Sequence, residues 1–227
     1  IGITPKLLVK EGDRVKAGSP VFFSKQNEKI LFTSPVSGTI ESINRGEKRA
    51  IEEIVISADS VQEYEDFGTE SLASMQREEV IEKLLKSGLW TLIRQRPYST
   101  IPNPELQPKC IIISGFDSSP LAANYNFILK GKGAQIQLGV DVLKKLSSGK
   151  IHLNIRANET NADELLKLEG VQINRFEGPH PVGNVSVQII LEKLGGGGHL
   201  TSAGTQLSGV TVDQAEKMLI DTIRVYL

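Results

Sequence analysis

The sequence predicts an α/β protein, α+β overall, with a small all-β unit, a parallel α/β unit and a short C-terminal α/β tail. Three observations support this prediction. Residues 1–58 consist of short β-branched segments separated by turns of glycine and charged residues. From residue 107 onward, strand-like apolar runs alternate with segments of helical periodicity. A run of four glycines then separates two amphipathic segments near the C-terminus.

The N-terminal unit, residues 1–58, contains the same arrangement twice. Val9–Val15 and Ile43–Arg49 each pass from an apolar strand through a turn of glycine and charged residues. The β-rich run Phe32–Ile40 lies between them, broken by a proline and a glycine. Tight turns favour glycine because it adopts positive φ at no steric cost. We therefore expect positive φ at Gly12, Gly18, Gly38 and Gly46.

Residues 59–106 are predicted to be a helical linker followed by an irregular loop. A polar, acidic stretch leads into a helix over 71–86, whose apolar positions recur at helical spacing. Gly88 is expected to end this helix as a C-cap. The stretch Leu89–Pro104 holds the only tryptophan, two arginines and three prolines, so we expect it to be irregular.

Residues 107–183 are predicted to form a parallel α/β unit of Rossmann-like topology, because strands and helices alternate with short connections. The loop Glu177–Gly183 follows the third strand, at the edge where open α/β sheets place their sites. We expect Cys110 to be a buried structural thiol and His180 to be a packed or hydrogen-bonded loop residue, not a ligand. The predicted strands are 110–114, 150–155 and 171–176, and the predicted helices are 133–147 and 162–168.

Composition excludes several classes of function. The chain has 26 basic and 27 acidic residues, so no net field favours nucleic acid or an anionic membrane. A single cysteine excludes a disulfide framework and an all-cysteine metal site. No apolar run approaches the ~20 residues of a membrane span, and no metal-ligand, P-loop or nucleophile-elbow motif occurs. The chain starts inside a domain without a signal peptide, so we expect a trimmed, soluble, cytoplasmic protein.

The N-terminal unit resembles the biotinyl/lipoyl-like barrel-sandwich fold. The resemblance is carried by Val9-Lys-Glu-Gly-Asp-Arg-Val15 and by Ser34-Pro-Val-Ser-Gly38. In carrier members of that fold, a lysine in the preceding hairpin bears the biotinyl or lipoyl group. That position is held here by Asn27, with Lys25 and Lys29 on either side. A carrier role is therefore not expected, and a biotinyl or lipoyl mass on either lysine would revive it.

A longer resemblance covers about residues 1–189. Thr33–Gly38, Ser87–Trp90 with Arg94-x-Arg-Pro97, Ser114–Ala122 and Gly178-Pro-His-Pro181 occur in one order. This order resembles the A-subunit family of bacterial sodium-translocating NADH:quinone oxidoreductases. The resemblance implies a peripheral subunit on the cytoplasmic side of the bacterial inner membrane, with the other subunits of the redox complex as partners.

The resemblance also implies that this chain binds no cofactor. The A-subunit family is similar in architecture to the flavin- and NADH-binding subunit of respiratory complex I and to the C subunit of the related ferredoxin-oxidising complex. Where this chain has Gly88–Ser99, those relatives carry a glycine-rich flavin loop. Such a loop approaches a phosphate closely through bare backbone N–H groups. Here Trp90, Leu92, Ile93 and Tyr98 are bulky. We therefore expect flavin and NADH to bind elsewhere in the complex.

The loop in that position is aromatic and cationic. The family resemblance associates the subunit with quinone chemistry, and a quinone ring needs flat aromatic walls and donors for its carbonyl oxygens. The alternative is that Trp90 anchors the loop to the core and the arginines face acidic neighbours. The candidate quinone-binding residues are Trp90, Arg94, Arg96 and Tyr98.

Residues 184–227 resemble a different family. Asn184–Leu207 is similar to the substrate-binding subdomain of DHH-type phosphoesterases, especially those that cleave cyclic dinucleotides. Consecutive glycine N–H groups after a helix over 187–194 would form an anion nest, to which a histidine adds a donor. The alternative is that the glycines only form a turn, before a last helix over 212–225. The candidate phosphate-binding residues are Gly195, Gly196, Gly197, Gly198 and His199.

The catalytic part of those phosphoesterases is missing. Their metal ions are held by Asp and His clusters, whereas this chain has three scattered histidines, His152, His180 and His199. Without metal-activated water, hydrolysis is not expected. The alternative function is therefore a phosphate- or nucleotide-binding fragment. The sequence leaves open whether one natural polypeptide, a fusion or a composite of two pieces carries both patterns, which an intact mass would separate.

Overall fold

A computed structural model describes residues 3–159, 163–193, 211, 213–214, 217–218 and 220–221. The chain divides into two compact units. The first comprises residues 1–95 and 99–105, and the second comprises residues 96–98 and 106–227. Most of the stretch predicted as a linker thus belongs to the first unit.

The first unit is built on two antiparallel sheets of three strands each. One sheet has the order β1-β3-β4, with β1 (Pro5–Leu7), β3 (Pro20–Ser24) and β4 (Asn27–Thr33). The other has the order β2-β5-β6, with β2 (Arg14–Val15), β5 (Gly38–Arg45) and β6 (Ile51–Ala58). Both sheets supply buried apolar side chains, including Val15, Val21, Phe23, Ile30 and Ile40. The predicted all-β unit is confirmed.

The four turn glycines serve different purposes. Gly12 and Gly18 have φ of +87° and +101°, as predicted. The prediction is wrong for Gly46, whose φ is −91°, and for Gly38, which lies within β5 and is not among the positive-φ residues. A Cβ on Gly38 would overlap the backbone carbonyl oxygen of Ser57 on the neighbouring strand. Close approach of two backbones, and not a turn, requires glycine there.

Helix α1 (Arg77–Lys86) begins later than the periodicity indicated. The residues before it form turns, and a capping box between Gln76 and Glu79 sets its first turn. Gly88 ends the helix with φ +76°, which confirms the predicted C-cap. A short 3₁₀ turn, Leu89–Leu92, follows where irregular chain was expected.

The second unit contains a parallel three-stranded sheet of order β7-β8-β9, as predicted. Helix α2 was not predicted, and the Asn124 side chain caps it by accepting a hydrogen bond from the Phe127 N–H at 3.2 Å. The strands are β7 (Ile111–Ser114), β8 (Ile151–Arg156) and β9 (Gln172–Phe176). The helices are α2 (Tyr125–Leu129), α3 (Gly133–Leu146), α4 (Asp163–Leu166) and α5 (Val185–Lys193).

The central strand β8 is buried on both faces. Leu153 and Ile155, 0% and 1% exposed, pack with apolar residues of α3 and α4. His152 and Asn154 lie on the opposite face and are also buried. Cys110 comes just before β7 and is half-buried, so the expectation of a fully buried thiol is wrong. Within the predicted last helix, the residues that the structure describes are helical.

Candidate functional site

Trp90 fixes the loop that was predicted to bind quinone. Its side chain is only 4% exposed, and its indole N–H donates a hydrogen bond to the Pro102 carbonyl oxygen at 2.9 Å. Both the ring face and the donor are therefore in use inside the first unit. The hydrogen bond joins the 3₁₀ turn to the segment that ends at Glu105. This arrangement agrees with the alternative prediction, that Trp90 anchors the loop to the core.

The other three predicted quinone residues are distributed between the units. Arg94 belongs to the first unit and donates to the carbonyl oxygens of Thr91 and Ile93, within its own turn. Arg96 belongs to the second unit and donates to the Ser186 hydroxyl at 3.1 Å. Tyr98, also in the second unit, is 72% exposed. The hydrogen bonds of Arg94 and Arg96 therefore lie within their own units.

Several backbone N–H groups of this loop donate hydrogen bonds within the loop. A phosphate cradle needs consecutive N–H groups that point outward and are unpaired. Here the N–H groups of Thr91 and Ile93 donate to the carbonyl oxygens of Gly88 and Trp90, at 3.2 Å each. The Gln95 N–H donates to the Thr100 carbonyl oxygen at 2.7 Å. Internal hydrogen bonds therefore occupy three of the backbone donors of this loop.

Trp90→Phe is expected to lower the free energy of unfolding of the first unit by about 1–2 kcal/mol. The substitution keeps most of the apolar volume but leaves the Pro102 carbonyl oxygen without its indole donor. Urea denaturation followed by far-ultraviolet circular dichroism measures the change. Tyr98→Phe, which removes an exposed hydroxyl, is the control and should change stability by less than about 0.5 kcal/mol. Equal stability of Trp90→Phe and the parent chain would contradict the anchoring role.

The first unit also contains a groove that no sequence motif indicated. The groove has a volume of about 710 Å³ and lies among β4, α1 and Pro104–Glu105. Ile81, Leu85 and Pro104 line it as buried side chains, and Leu31 lines it as a half-buried one. These four residues form an apolar floor. They come from three separate stretches of sequence, so only folding brings them together.

The rim of the groove carries acidic and basic side chains whose charges nearly cancel. Four glutamates and three basic residues line it. Most of these side chains are exposed, and exposed ion pairs contribute little to stability. The pairs are Lys29–Glu105 at 3.3 Å, Lys86–Glu82 at 2.7 Å and Arg77–Glu78 at 3.9 Å.

In the second unit, polar side chains meet at the carboxyl edge of the parallel sheet. The Ser118 hydroxyl accepts a hydrogen bond from the Gly183 N–H at 2.8 Å and lies 3.1 Å from His180 Nδ1. Hydrogen bonds from the Ser119 N–H and hydroxyl hold the pKa of the Asp117 carboxyl below its usual range. His180 is thus a hydrogen-bonded loop residue, as expected. Asp117 accepts hydrogen bonds from the donors of its own turn.

A network of buried polar side chains also holds the loop after β9, which contains His180 and Gly183. The Asn154 amide donates to Gln188 Oε1 at 2.8 Å, and the Gln188 amide donates to the Val182 carbonyl oxygen at 3.1 Å. Asn174 donates to Asn154 Oδ1 at 2.9 Å and lies 3.1 Å from His152 Nδ1. Sequence reasoning missed this network. Its one signal was the alternation of polar residues within a buried strand, at His152 and Asn154.

The remaining predicted positions are Asn27 and the glycine-rich run Gly195–His199. Asn27 begins β4, and its side chain accepts the Lys29 N–H at 3.1 Å. Gly195–His199 lies outside the described residues, so phosphate binding there stays a prediction. Among the described residues, no group of His, Cys, Asp or Glu could hold a metal ion. In the same part of the chain, no helix is long and apolar enough to cross a membrane.

Fold and sequence together define a barrel-sandwich hybrid domain followed by an α/β domain. The profile of the "NqrA N-terminal barrel-sandwich hybrid domain" matches residues 1–59. That of the "NqrA second alpha/beta domain" matches residues 75–194. The chain therefore belongs to the NqrA family. The second match extends past residue 184, where the sequence placed the start of a foreign tail.

Several curated relatives are named as the A subunit of Na(+)-translocating NADH-quinone reductase. The relative from Yersinia pseudotuberculosis is 39% identical over 196 residues, covering 83% of this chain and 42% of the relative. That from Haemophilus influenzae is 38% identical over 192 residues, covering 83% and 42%. That from Neisseria meningitidis is 39% identical over 184 residues, covering 80% and 41%. The chain thus spans about two fifths of these relatives. The matches give no support to the DHH phosphoesterase resemblance.

Proposed function

We propose that this chain is part of a peripheral, cofactor-free subunit of a sodium-translocating NADH:quinone reductase. Its partners are the other subunits of that complex, on the cytoplasmic side of a bacterial inner membrane, and its role is associated with quinone. The observation that carries the proposal is that two successive NqrA domains match residues 1–59 and residues 75–194 of this chain. The relatives' name supplies the activity of the whole complex.

The state of the loop after α1 supports the absence of a cofactor. Three of its backbone N–H groups bond within the loop, and the Trp90 side chain is buried and donates to the Pro102 carbonyl oxygen. NADH oxidation and flavin chemistry therefore belong to other subunits. We expect the purified chain to show no flavin absorbance and no saturable NADH binding. Stoichiometric binding of FMN or NADH would contradict this part of the proposal.

The quinone-associated role is assigned to the segment 88–105, which contains Trp90, Arg94, Arg96 and Tyr98. In this segment Leu92, of the first unit, and Tyr98, of the second unit, are each 72% exposed. Trp90 holds the segment in place by its bond to Pro102. Arg94 and Arg96 already donate hydrogen bonds within their own units, so the exposed Leu92 and Tyr98 are the side chains that we assign to contact with a ligand or a neighbouring subunit.

Titration of a water-soluble short-chain quinone against the fluorescence of Trp90, the only tryptophan, tests this role. We expect saturable quenching by the parent chain. Linear quenching without saturation, equal to that of free tryptophan, would argue against quinone binding.

Association with the complex is tested on the full-length protein. A tagged subunit purified from bacterial membranes is expected to bring the other subunits with it. A protein that purifies alone, from the soluble fraction, would contradict the proposed place in the complex.

A further inference from the structure

Strand β7 lies at the edge of the parallel sheet but has the composition of an interior strand. Among the described residues it pairs with β8 alone, and β9 forms the opposite edge. Residues 111–113 are three consecutive isoleucines, a run typical of parallel strands that are covered on both faces, yet all three are only half-buried. Strand β9 instead carries Gln172, Asn174 and Arg175, polar side chains that suit an exposed edge. By its sequence, β9 is an edge strand and β7 is not.

The backbone of β7 offers a row of hydrogen-bonding groups on its outer side. The Ile111 N–H donates to the Lys150 carbonyl oxygen at 3.1 Å, in the ladder with β8. Successive residues of a strand direct their N–H and C=O groups to opposite sides. Those of Ile112 and Ser114 are therefore directed away from β8, where another strand can pair with them.

The position of α5 indicates where the next strand of this fold lies. Helices α3 and α4 cover the face of the sheet that contains Leu153 and Ile155. Helix α5 lies against the opposite face, because its Gln188 side chain accepts a hydrogen bond from the buried Asn154 amide. Connections between parallel strands of one sheet are right-handed in almost all proteins. The chain passes from β7 through β8 to β9 with its helices on the first face, so a right-handed connection through α5 returns in the opposite direction, to the outer side of β7.

We propose that the outer edge of β7 binds a fourth parallel strand, supplied by the segment that follows α5 in the full-length relatives. The matched region covers only 42% of the Yersinia pseudotuberculosis relative, so that protein has ample chain for such a strand. Residues 195–209 of this chain include six glycines, and glycine weakens a strand. The fourth strand is apolar on both faces, because it covers Ile112 on one face and Ile113 on the other. This inference does not depend on the quinone role.

Amide hydrogen exchange tests the pairing directly. This chain is compared with the full-length Yersinia pseudotuberculosis relative at aligned positions. The outward Ile112 amide is expected to exchange about a hundredfold more slowly in the full-length protein. The Ile113 amide, which points toward β8, is the internal control and should exchange slowly in both proteins. Equal exchange of the outward amide in the two proteins would overturn the proposal.

Ile112→Pro tests the same edge through stability. Proline removes an outward N–H, which an edge strand tolerates and an interior strand does not. At the aligned position of the full-length protein, the change is expected to lower Tm by about 8 °C, and in this chain by less than half as much. Ile173→Pro is the matched control, because β9 is an edge in both proteins and the Ile173 N–H also points outward. If Ile112→Pro lowers Tm equally in both proteins, β7 is not an interior strand of the full-length subunit.

The exchange measurement also distinguishes two other occupants of this edge. Protection of the Ile112 amide that rises with the concentration of this chain would identify a second copy. Protection that disappears on truncation after Lys193 would identify residues 194–227. Either result would overturn the assignment of the strand to the full-length relatives.

Discussion

Gly38→Ala is expected to destabilise the first unit by about 3 kcal/mol. The new Cβ would overlap the Ser57 carbonyl oxygen, a backbone atom of β6 that cannot rotate away. Relief requires separation of β5 from β6, the longest strand pair of the unit. Urea denaturation followed by the fluorescence of Trp90, which is buried in the same unit, measures the loss.

Gly12→Ala is the matched control for this prediction. A Cβ on Gly12 meets no atom within 4 Å, but the residue has φ +87°. Alanine there bears only the cost of a left-handed backbone, about 1 kcal/mol. If both variants lose the same stability, contact with Ser57 is not what requires glycine at position 38.

Gln188→Leu is expected to lower the stability of the second unit by about 2–3 kcal/mol. Gln188 is 0% exposed and Asn154 is 1% exposed, so leucine leaves the Asn154 amide and the Val182 carbonyl oxygen buried without a hydrogen-bond partner. Since Gln188 also holds the loop after β9, limited proteolysis should cut residues 177–184 faster in this variant. Denaturation followed by far-ultraviolet circular dichroism measures the stability.

A double-mutant cycle distinguishes the hydrogen bond from simple loss of volume. Asn154→Leu combined with Gln188→Leu removes both partners, so it should cost about 1 kcal/mol less than the sum of the single changes. Asn158→Ala, which removes an exposed bond to Glu177, should change stability by less than about 0.5 kcal/mol. Strict additivity of the two leucine changes would show that the amides do not stabilise each other.

Local chemistry explains which predictions succeeded. Gly88 was recognised as a helix end because a left-handed C-cap depends on only a few neighbouring residues. The parallel sheet was predicted from strand-like runs that alternate with helical segments, because the periods of strands and helices are visible in neighbouring residues of the sequence. The start of α1 was placed too early, since the periodicity continued through residues that form turns, and the Gln76–Glu79 capping box decided the boundary.

The same reasoning explains the errors at Gly38 and Cys110. Gly38 was assigned to a turn because a glycine interrupts a β-rich run there, whereas its actual constraint is β6, a strand distant from it in sequence. Cys110 was expected to be buried because apolar residues follow it, yet it stands just outside the strand that they form. The local sequence pattern shows neither the close approach of β6 to Gly38 nor the exact start of the strand after Cys110.

The sequence by itself determined the class of each unit, the order of the two domains and the family, because these depend on periodicity and on motifs of adjacent residues. Only the tertiary structure decided that Trp90 is a buried anchor, that three backbone donors of its loop bond within the loop, and that Leu31, Ile81, Leu85 and Pro104 form one apolar floor. The physical reason is that burial and hydrogen-bond pairing are properties of neighbours in space, which chain folding brings together from distant positions.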